Sequence, residues 1–327
     1  MIKFKKNSNL PTSFSRRRHD QTAKSGSLRQ SVSYLIQLLI QLSFCVLIVV
    51  GMSSQAFGQT PEGKVALLEL GVGARALGMG GAYVSLGGDA DSLLYNPAGL
   101  AFMNRSQLSG YASRPFEAFH HVAMGYAVPN LGVSVMQMGL NSVMETNEFG
   151  NSTGQTLNYT SRSAIGGFGY EVFPGAAFGA QVKLYSEESG PVTGFGWAVD
   201  PALLYRTDFL SIGVIWRNAI SDDIQYDNDY EEAWISDLTV GGSWKISIEE
   251  QVYMLLAADV SGLMHNEMAV QVGGEAWLGQ LGVRLGWDRG QITAGASVLY
   301  RNLQIHWAYA FHDTLPQTLR LSASMDF

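Results

Sequence analysis

The sequence predicts an all-β protein: a transmembrane antiparallel β-barrel of about 14 strands with an N-terminal hatch or plug segment. Three observations predict it. Apolar residues recur with period two from about residue 105 to the end. The segments carrying that period run about 9–12 residues, the length a tilted strand needs to cross a bilayer. The connections between segments alternate between short and long, as the two rims of a membrane barrel do.

The chain begins differently. Residues 1–58 hold eight of the 21 Lys and Arg and one of the 28 acids, Asp20. An apolar run, YLIQLLIQLSFCVLIVV, spans Tyr34 to Val50, and small residues lead to Ala56-Phe57-Gly58. A basic region, an apolar region and a small-residue exit make a secretory signal, so 1–58 reads as a signal peptide. A retained anchor is the rival, because a run of 17 residues approaches the lower limit for spanning. Gln37 and Gln41 weaken that rival. Arg16-Arg17-Arg18 lies too far from the apolar run to act as a twin-arginine signal. The lone cysteine, Cys45, sits inside the run behind Phe44, where a lipoprotein signal carries a small residue. The mature chain therefore has no disulfide, although its compartment is oxidising. A closed sheet with every backbone group paired supplies stability instead.

After residue 58 the net charge is −14, and the only lysines are Lys64, Lys183 and Lys245. A phosphate backbone needs a cationic surface, so nucleic acid is excluded as a partner. No stretch there is apolar for 18 residues, which excludes further helical spans.

The fourteen segments fall at 106–113, 119–128, 131–140, 160–172, 175–186, 194–206, 209–219, 235–246, 250–260, 265–278, 279–287, 291–300, 302–311 and 316–327. In the eleventh, Leu281, Val283, Leu285 and Trp287 alternate with Gly282, Arg284, Gly286 and Asp288. In the thirteenth, Leu303, Ile305, Trp307, Tyr309 and Phe311 alternate with Gln304, His306, Ala308, Ala310 and His312. Successive strand residues point to opposite faces, so each segment has one greasy side and one small or polar side. Tyr111, Tyr126, Tyr205, Trp244, Trp287 and Tyr300 fall near segment ends, where aromatic girdles meet the membrane interface. Connections after even segments are short: Pro129-Asn130, Pro174, Thr207-Asp208 and Arg301. Those at 141–159, 187–193 and 220–234 are longer and read as outer loops. The final TLRLSASMDF puts Leu319, Leu321, Met325 and Phe327 on one face. An aromatic at the end of such a strand resembles the signal read by the barrel-assembly machinery.

Residues 67–104 break the period, with glycines at 71, 73, 78, 80, 81, 87 and 88. A dinucleotide site would need a preceding strand, a following helix and a distant ribose-binding acid, and the spacing is wrong. Small residues instead let backbone pack inside a narrow barrel. Here GARALGMGGAYVSLGGDADSLLYNPAGLA resembles the N-terminal region of FadL-type outer-membrane transporters, and most of all their PorV/PorQ-type relatives. Asn96-Pro97-Ala98 matches the NPA motif of the hatch that plugs FadL-type barrels. GGEAWLGQLGVRLGWDRGQITAGASVLY, LQIHWAYAF and TLRLSASMDF are similar to PorV/PorQ-type closing strands. The resemblance implies a hatch at 59–104, a barrel at 105–327, fourteen strands, and a place in the lipid of the bacterial outer membrane. Mature FadL-type transporters are longer, with large outer loops, so only the hatch motif is carried over.

Candidate sites are few. His120 and His121 are adjacent in a strand and face opposite ways, which argues against a shared metal ion. Asp222, Asp223, Asp227, Asp229, Glu231 and Glu232 lie in an outer loop without the glycine and spacing of a calcium hand. Lys183, Asp200, Arg206, Glu275 and Arg284 fall on the non-lipid face, where they pair with one another or with the hatch. No catalytic cluster, metal site or cofactor site is expected. The resemblance implies a non-enzymatic PorV/PorQ-type role with type IX secretion components and their cargo. The alternative is FadL-like passive uptake of hydrophobic small molecules. A surface enzyme is a third reading, and it requires an inward Ser-His pair within hydrogen-bonding reach.

Overall fold

The computed structural model describes residues 66–146, 151–249, 252–265, 268–312 and 316–327. The proposed signal peptide, and the start of the hatch at 59–65, lie outside them.

Alternation produces the strands it promises. Fourteen of the sixteen strands form the wall: β1 (Gln107–Ser113), β2 (His120–Val128), β3 (Leu131–Thr146), β4 (Ser152–Phe173), β5 (Ala176–Ser189), β6 (Val192–Arg206), β7 (Leu210–Arg217), β10 (Asp237–Glu249), β11 (Val252–Ser261), β12 (Ala269–Leu278), β13 (Leu281–Asp288), β14 (Gln291–Tyr300), β15 (Leu303–Phe311) and β16 (Thr318–Asp326). Each pairs antiparallel with its neighbour in the chain, and β1 pairs with β16 from Gln107↔Asp326 to Ser113↔Arg320. The wall is closed and has no free edge across the bilayer, as lipid demands. No helix among the described residues is long and apolar enough to cross a membrane.

Outward positions are large and apolar: Val122, Met124, Val133, Val135, Leu203, Leu281, Val283, Leu285 and Leu319 are all exposed. Their alternating partners are buried in the lumen. An apolar belt this continuous on a closed barrel faces lipid, and the protein is a bacterial outer-membrane β-barrel. Tyr126, Tyr205, Trp244 and Tyr300 are exposed near strand ends, as a girdle requires. Tyr111 is not among them. It points inward and is 8 % exposed, because its place in β1 has the parity of the lumen residues Gln107 and Ser113.

The expected loops need correction. The stretch 141–159 is mostly strand, since β3 runs on to Thr146 and β4 begins at Ser152. The stretch 187–193 is a tight hairpin with Ser189 paired to Val192. Polar residues hid both extensions, because beyond the bilayer neither strand face needs to be apolar. β4 has 22 residues, roughly twice what a tilted crossing takes. The stretch 220–234 is not all loop either. β8 (Ile220–Tyr226) continues the line of β7 along β6 after a break at Asn218-Ala219, and β9 (Glu231–Glu232) folds back on it. Asp222 and Asp223 are therefore strand residues, while Asp227 and Asp229 lie in the turn between β8 and β9.

The short connections sit at the opposite rim. Asn130, in the β2–β3 turn, has φ 76, a left-handed conformation that Asn tolerates. Phe327 lies at this rim, where its backbone N–H donates to the Ser106 carbonyl at 2.9 Å. The first and last strands thus meet on the short-turn, periplasmic side.

Candidate functional site

The lumen is filled by the glycine-rich segment. It runs through α1 (Ala66–Glu69), α2 (Ala74–Gly78), α3 (Ser92–Tyr95) and a 3-10 helix (Pro97–Phe102). Glu69 lies 3.9 Å from Arg289 at an outer turn, while the Leu100 carbonyl accepts from Asn130 N–H at the periplasmic rim. The plug therefore spans the height of the barrel.

Glycines make this packing possible on both sides of the contact. A Cβ at Gly213 in β7 would lie 2.1 Å from the Val84 carbonyl oxygen, and one at Gly286 in β13 would lie 2.2 Å from Gly80 N. Gly169 in β4 and Gly179 in β5 receive the backbone of Pro97 and Ala98 in the same way.

Polar side chains of the wall then bind plug backbone. The Asp259 carboxylate accepts from Tyr83 and Val84 N–H at 2.7 and 2.8 Å. The Thr293 hydroxyl accepts from Gly80 N–H and donates to the Gly78 carbonyl, each at 3.1 Å. Arg206 donates to the Gly87 carbonyl at 2.8 Å and stacks over Phe102. These bonds satisfy backbone groups that have left regular structure.

The Asn96-Pro97-Ala98 motif has a local reason. The Asn96 side chain accepts from Ala98 N–H at 3.0 Å, capping the 3-10 helix, with Pro97 at its first turn. Its amide nitrogen donates to the carbonyls of Val84 and Leu203, at 2.8 and 3.0 Å. One buried side chain thus ties two plug segments to β6.

The five lumen charges resolve into two groups and one anchor. Lys183 and Asp200 pair at 2.7 Å, and both grip Asn218 where β7 gives way to β8. Glu275 receives Arg284 at 2.6 Å and the plug residue Arg75 at 2.8 Å. Arg75 also donates to Asp89 at 3.1 Å and to Tyr83 at 2.9 Å. Arg206 is the anchor on Gly87.

Sequence reasoning missed Arg75, Asp89, Asp91 and Asp259. Arg75 is the only basic residue between 66 and 104, a signal that composition of that segment carries. Asp259 is an acid on the inward parity of β11, which it shares with Tyr253, Leu255 and Ala257.

Among the described residues, two spaces border the plug. A polar vestibule of about 320 Å³ opens at the periplasmic end, lined by Arg75, Asp89, Asp91, Gln107, His306 and Asp326 among others. A crevice of about 10 Å³, room for about one water, lies further in, between Leu93, Leu94 and Val72 of the plug and Tyr111, Ala123 and Ser134 of the wall. Asp91 and Ser109 border both. Burial, and next the neighbouring Asp89 carboxylate, push the Asp91 carboxyl up to about 7.

His121 is fully buried, and neither ring nitrogen has a hydrogen-bond partner among the described residues. His120 faces the other way, against Gly139. No cluster of three or more His, Cys, Asp or Glu among the described residues could hold a metal. An inward Ser-His pair does exist: Ser297 Oγ contacts His306 Nδ1 across β14 and β15. Ser297 is only 1 % exposed and does not border the vestibule. The contact satisfies two buried polar groups and presents no open nucleophile.

Comparison with solved structures identifies the architecture. The toluene transporter TodX of Pseudomonas putida superposes with a TM-score of 0.57 at 14% identity, covering 79% of this chain and 99% of that one. The toluene transporter TbuX of Ralstonia pickettii gives 0.57 at 14%, covering 79% and 98%. This chain has their fold, a FadL-like plugged barrel. No protein-family model and no curated protein matches the sequence.

Proposed function

We propose that the protein is a non-enzymatic outer-membrane channel for small hydrophobic molecules. One observation carries this reading: the barrel has the fold of toluene transporters and encloses a plug with a polar vestibule at its periplasmic end. The FadL-like resemblance around Asn96-Pro97-Ala98 agrees with this direction. The test is uptake of a panel of neutral aromatic and aliphatic hydrocarbons by cells with and without the gene. Slower uptake of at least one class on deletion, restored by the intact gene, is expected. Unchanged uptake across the panel ends this reading.

A PorV/PorQ-type role in type IX secretion rests on the likeness of the closing strands. The comparisons lend it no support, and it stands second. Pull-down from outer membranes decides it: secretion components or their cargo would be recovered, and recovery of neither, with normal export in a deletion strain, removes it.

A further inference from the structure

One group of donors in the lumen exceeds the acceptors around it. Arg284 uses its Nε–H, which donates to Glu275 at 2.6 Å. Its Nη1 and Nη2 have no hydrogen-bond partner among the described residues, and the side chain is 0 % exposed. Trp277 stands beside it, with the guanidinium carbon 5.8 Å from the ring centroid, and the buried Trp277 Nε1–H is also unpartnered. A ring face at that distance attracts the charge but does not take up the N–H groups. Both side chains offer donors only, and donors left unmet in a protein interior are destabilising.

The neighbouring carboxylates are already engaged. Glu275 accepts from Arg75 Nε and Nη2 at 3.1 and 2.8 Å, from Arg284, and from the Tyr253 hydroxyl. Asp89 accepts from Arg75, Tyr83 and Ser92. The Ser297 hydroxyl is engaged with His306. Gly282, the next inward residue of β13, has no side chain to offer. A Cβ there would lie 2.9 Å from Trp277 Cε2, the ring atom bonded to Nε1.

Both ends of this group lead to the periplasmic side. Trp277 stacks on Tyr253, and Lys245 Nζ lies 4.7 Å from the Tyr253 ring centroid. Lys245 is exposed, and its backbone N–H donates to the Phe209 carbonyl beside the short β6–β7 turn. In the other direction Gly282 opposes Ser297, Ser297 opposes His306, and His306 borders the vestibule, as does Arg75. Arg75, Arg284 and Lys245 thus stand against Glu275 and Asp89. The Asp91 carboxyl beside Asp89 is pushed up to about 7 and carries only part of a charge near neutrality.

We propose that Arg284 and Trp277 form a binding site for a small carboxylate. The Nη1 and Nη2 groups match the two oxygens of a carboxylate, Trp277 Nε1–H adds another donor, and Lys245 draws the anion toward the mouth. A single charge suits this buried place better than a phosphate dianion, which costs more to desolvate. A carboxylate bound here joins a cluster that already links wall to plug through Arg75, so it strengthens the plugged state. The inference goes beyond the channel reading and does not depend on it.

The test uses the purified barrel in neutral detergent, with radiolabelled acetate in equilibrium dialysis and thermal unfolding at constant ionic strength. The parent is expected to bind acetate saturably and to unfold at a higher temperature in acetate than in chloride, while phosphate does neither. Arg284→Lys keeps a cation for Glu275 and removes the fork. Trp277→Phe keeps the ring and removes the N–H. Each should weaken acetate binding severalfold and shrink the acetate-dependent rise, and Lys245→Gln should weaken binding less. Heat-modifiable migration confirms that each variant is a closed barrel, and Trp277→Phe carries the test should Arg284→Lys misfold. The proposal is overturned if the parent binds no acetate, if phosphate binds and stabilises as well as acetate does, or if folded Trp277→Phe binds as the parent does. Failed hydrocarbon uptake with acetate binding intact would remove the channel reading and keep the site.

Discussion

The plug meets the wall by different means on its two flanks. On the flank facing β4–β7 and β10–β14, glycine brings backbone against backbone, and wall side chains take over the exposed N–H and C=O groups. On the flank facing β1–β3, side chains fill the contact: Tyr111, Met136 and Met138 share one buried cluster with Val72, Leu93 and Leu94, and Gln107 accepts from Ala90 N–H. Small residues in a lumen therefore have no single meaning. What separates the cases is the neighbour a Cβ would meet: plug backbone at Gly213 and Gly286, wall side chains at Gly125.

Breaking the bonded flank should have the largest effect. Glu275→Ala leaves Arg284, which is fully buried, without a carboxylate and leaves Arg75 with Asp89 alone. Removing one partner of a buried ion pair costs about 3–5 kcal/mol. Thermal unfolding in detergent should show a large fall in midpoint, whereas Asp91→Ala should scarcely move it. A paired glycine experiment comes next. Gly213→Ala drives a methyl into the Val84 carbonyl, and overpacking of this kind costs about 1–3 kcal/mol. Gly125→Ala meets only the tip of Ser109 among close neighbours and should be milder. Equal destabilisation by the two would erase the distinction between the flanks.

Asn96→Ala should follow, at about 1–2 kcal/mol for the lost cap, with a further loss for two carbonyls left unbonded. Limited proteolysis should then cut the plug faster while the wall stays protected. The smallest effect concerns pH. Asp91 binds its proton more tightly in the folded protein, with a pKa of about 7, than in the unfolded chain, with one near 4. Its contribution to stability therefore falls as pH rises through that interval and levels off above it. The unfolding midpoint of the parent should fall more across this range than that of Asp91→Asn. Parallel profiles would show that the carboxyl titrates normally.

Much of the wall was legible because a membrane strand obeys one rule, alternation, for its whole crossing. Leu281 to Asp288 and Leu303 to Phe311 show it residue by residue. Where lipid ends, the rule ends, and the outer parts of β3 and β4 look like loop although their backbones stay paired. Parity places Lys183, Asp200, Arg206, Glu275 and Arg284 on one side of their strands, but it cannot name partners. Arg75 meets Glu275 across 200 residues of sequence, and Ala74 meets Ser322 across 248. Tyr111 was misplaced for the opposite reason: its position near a strand end suggested a girdle, and its parity was the better guide.

The pairing of β1 with β16 is also tied to what the barrel holds. The plug is bonded to both strands of that junction, through Ala90 N–H on Gln107 and Ala74 N–H on Ser322. Gln107 in turn bonds Asp326 across the junction itself. Plug and seam thus share their hydrogen bonds, so loosening either one removes support from the other, through contacts of very large sequence separation.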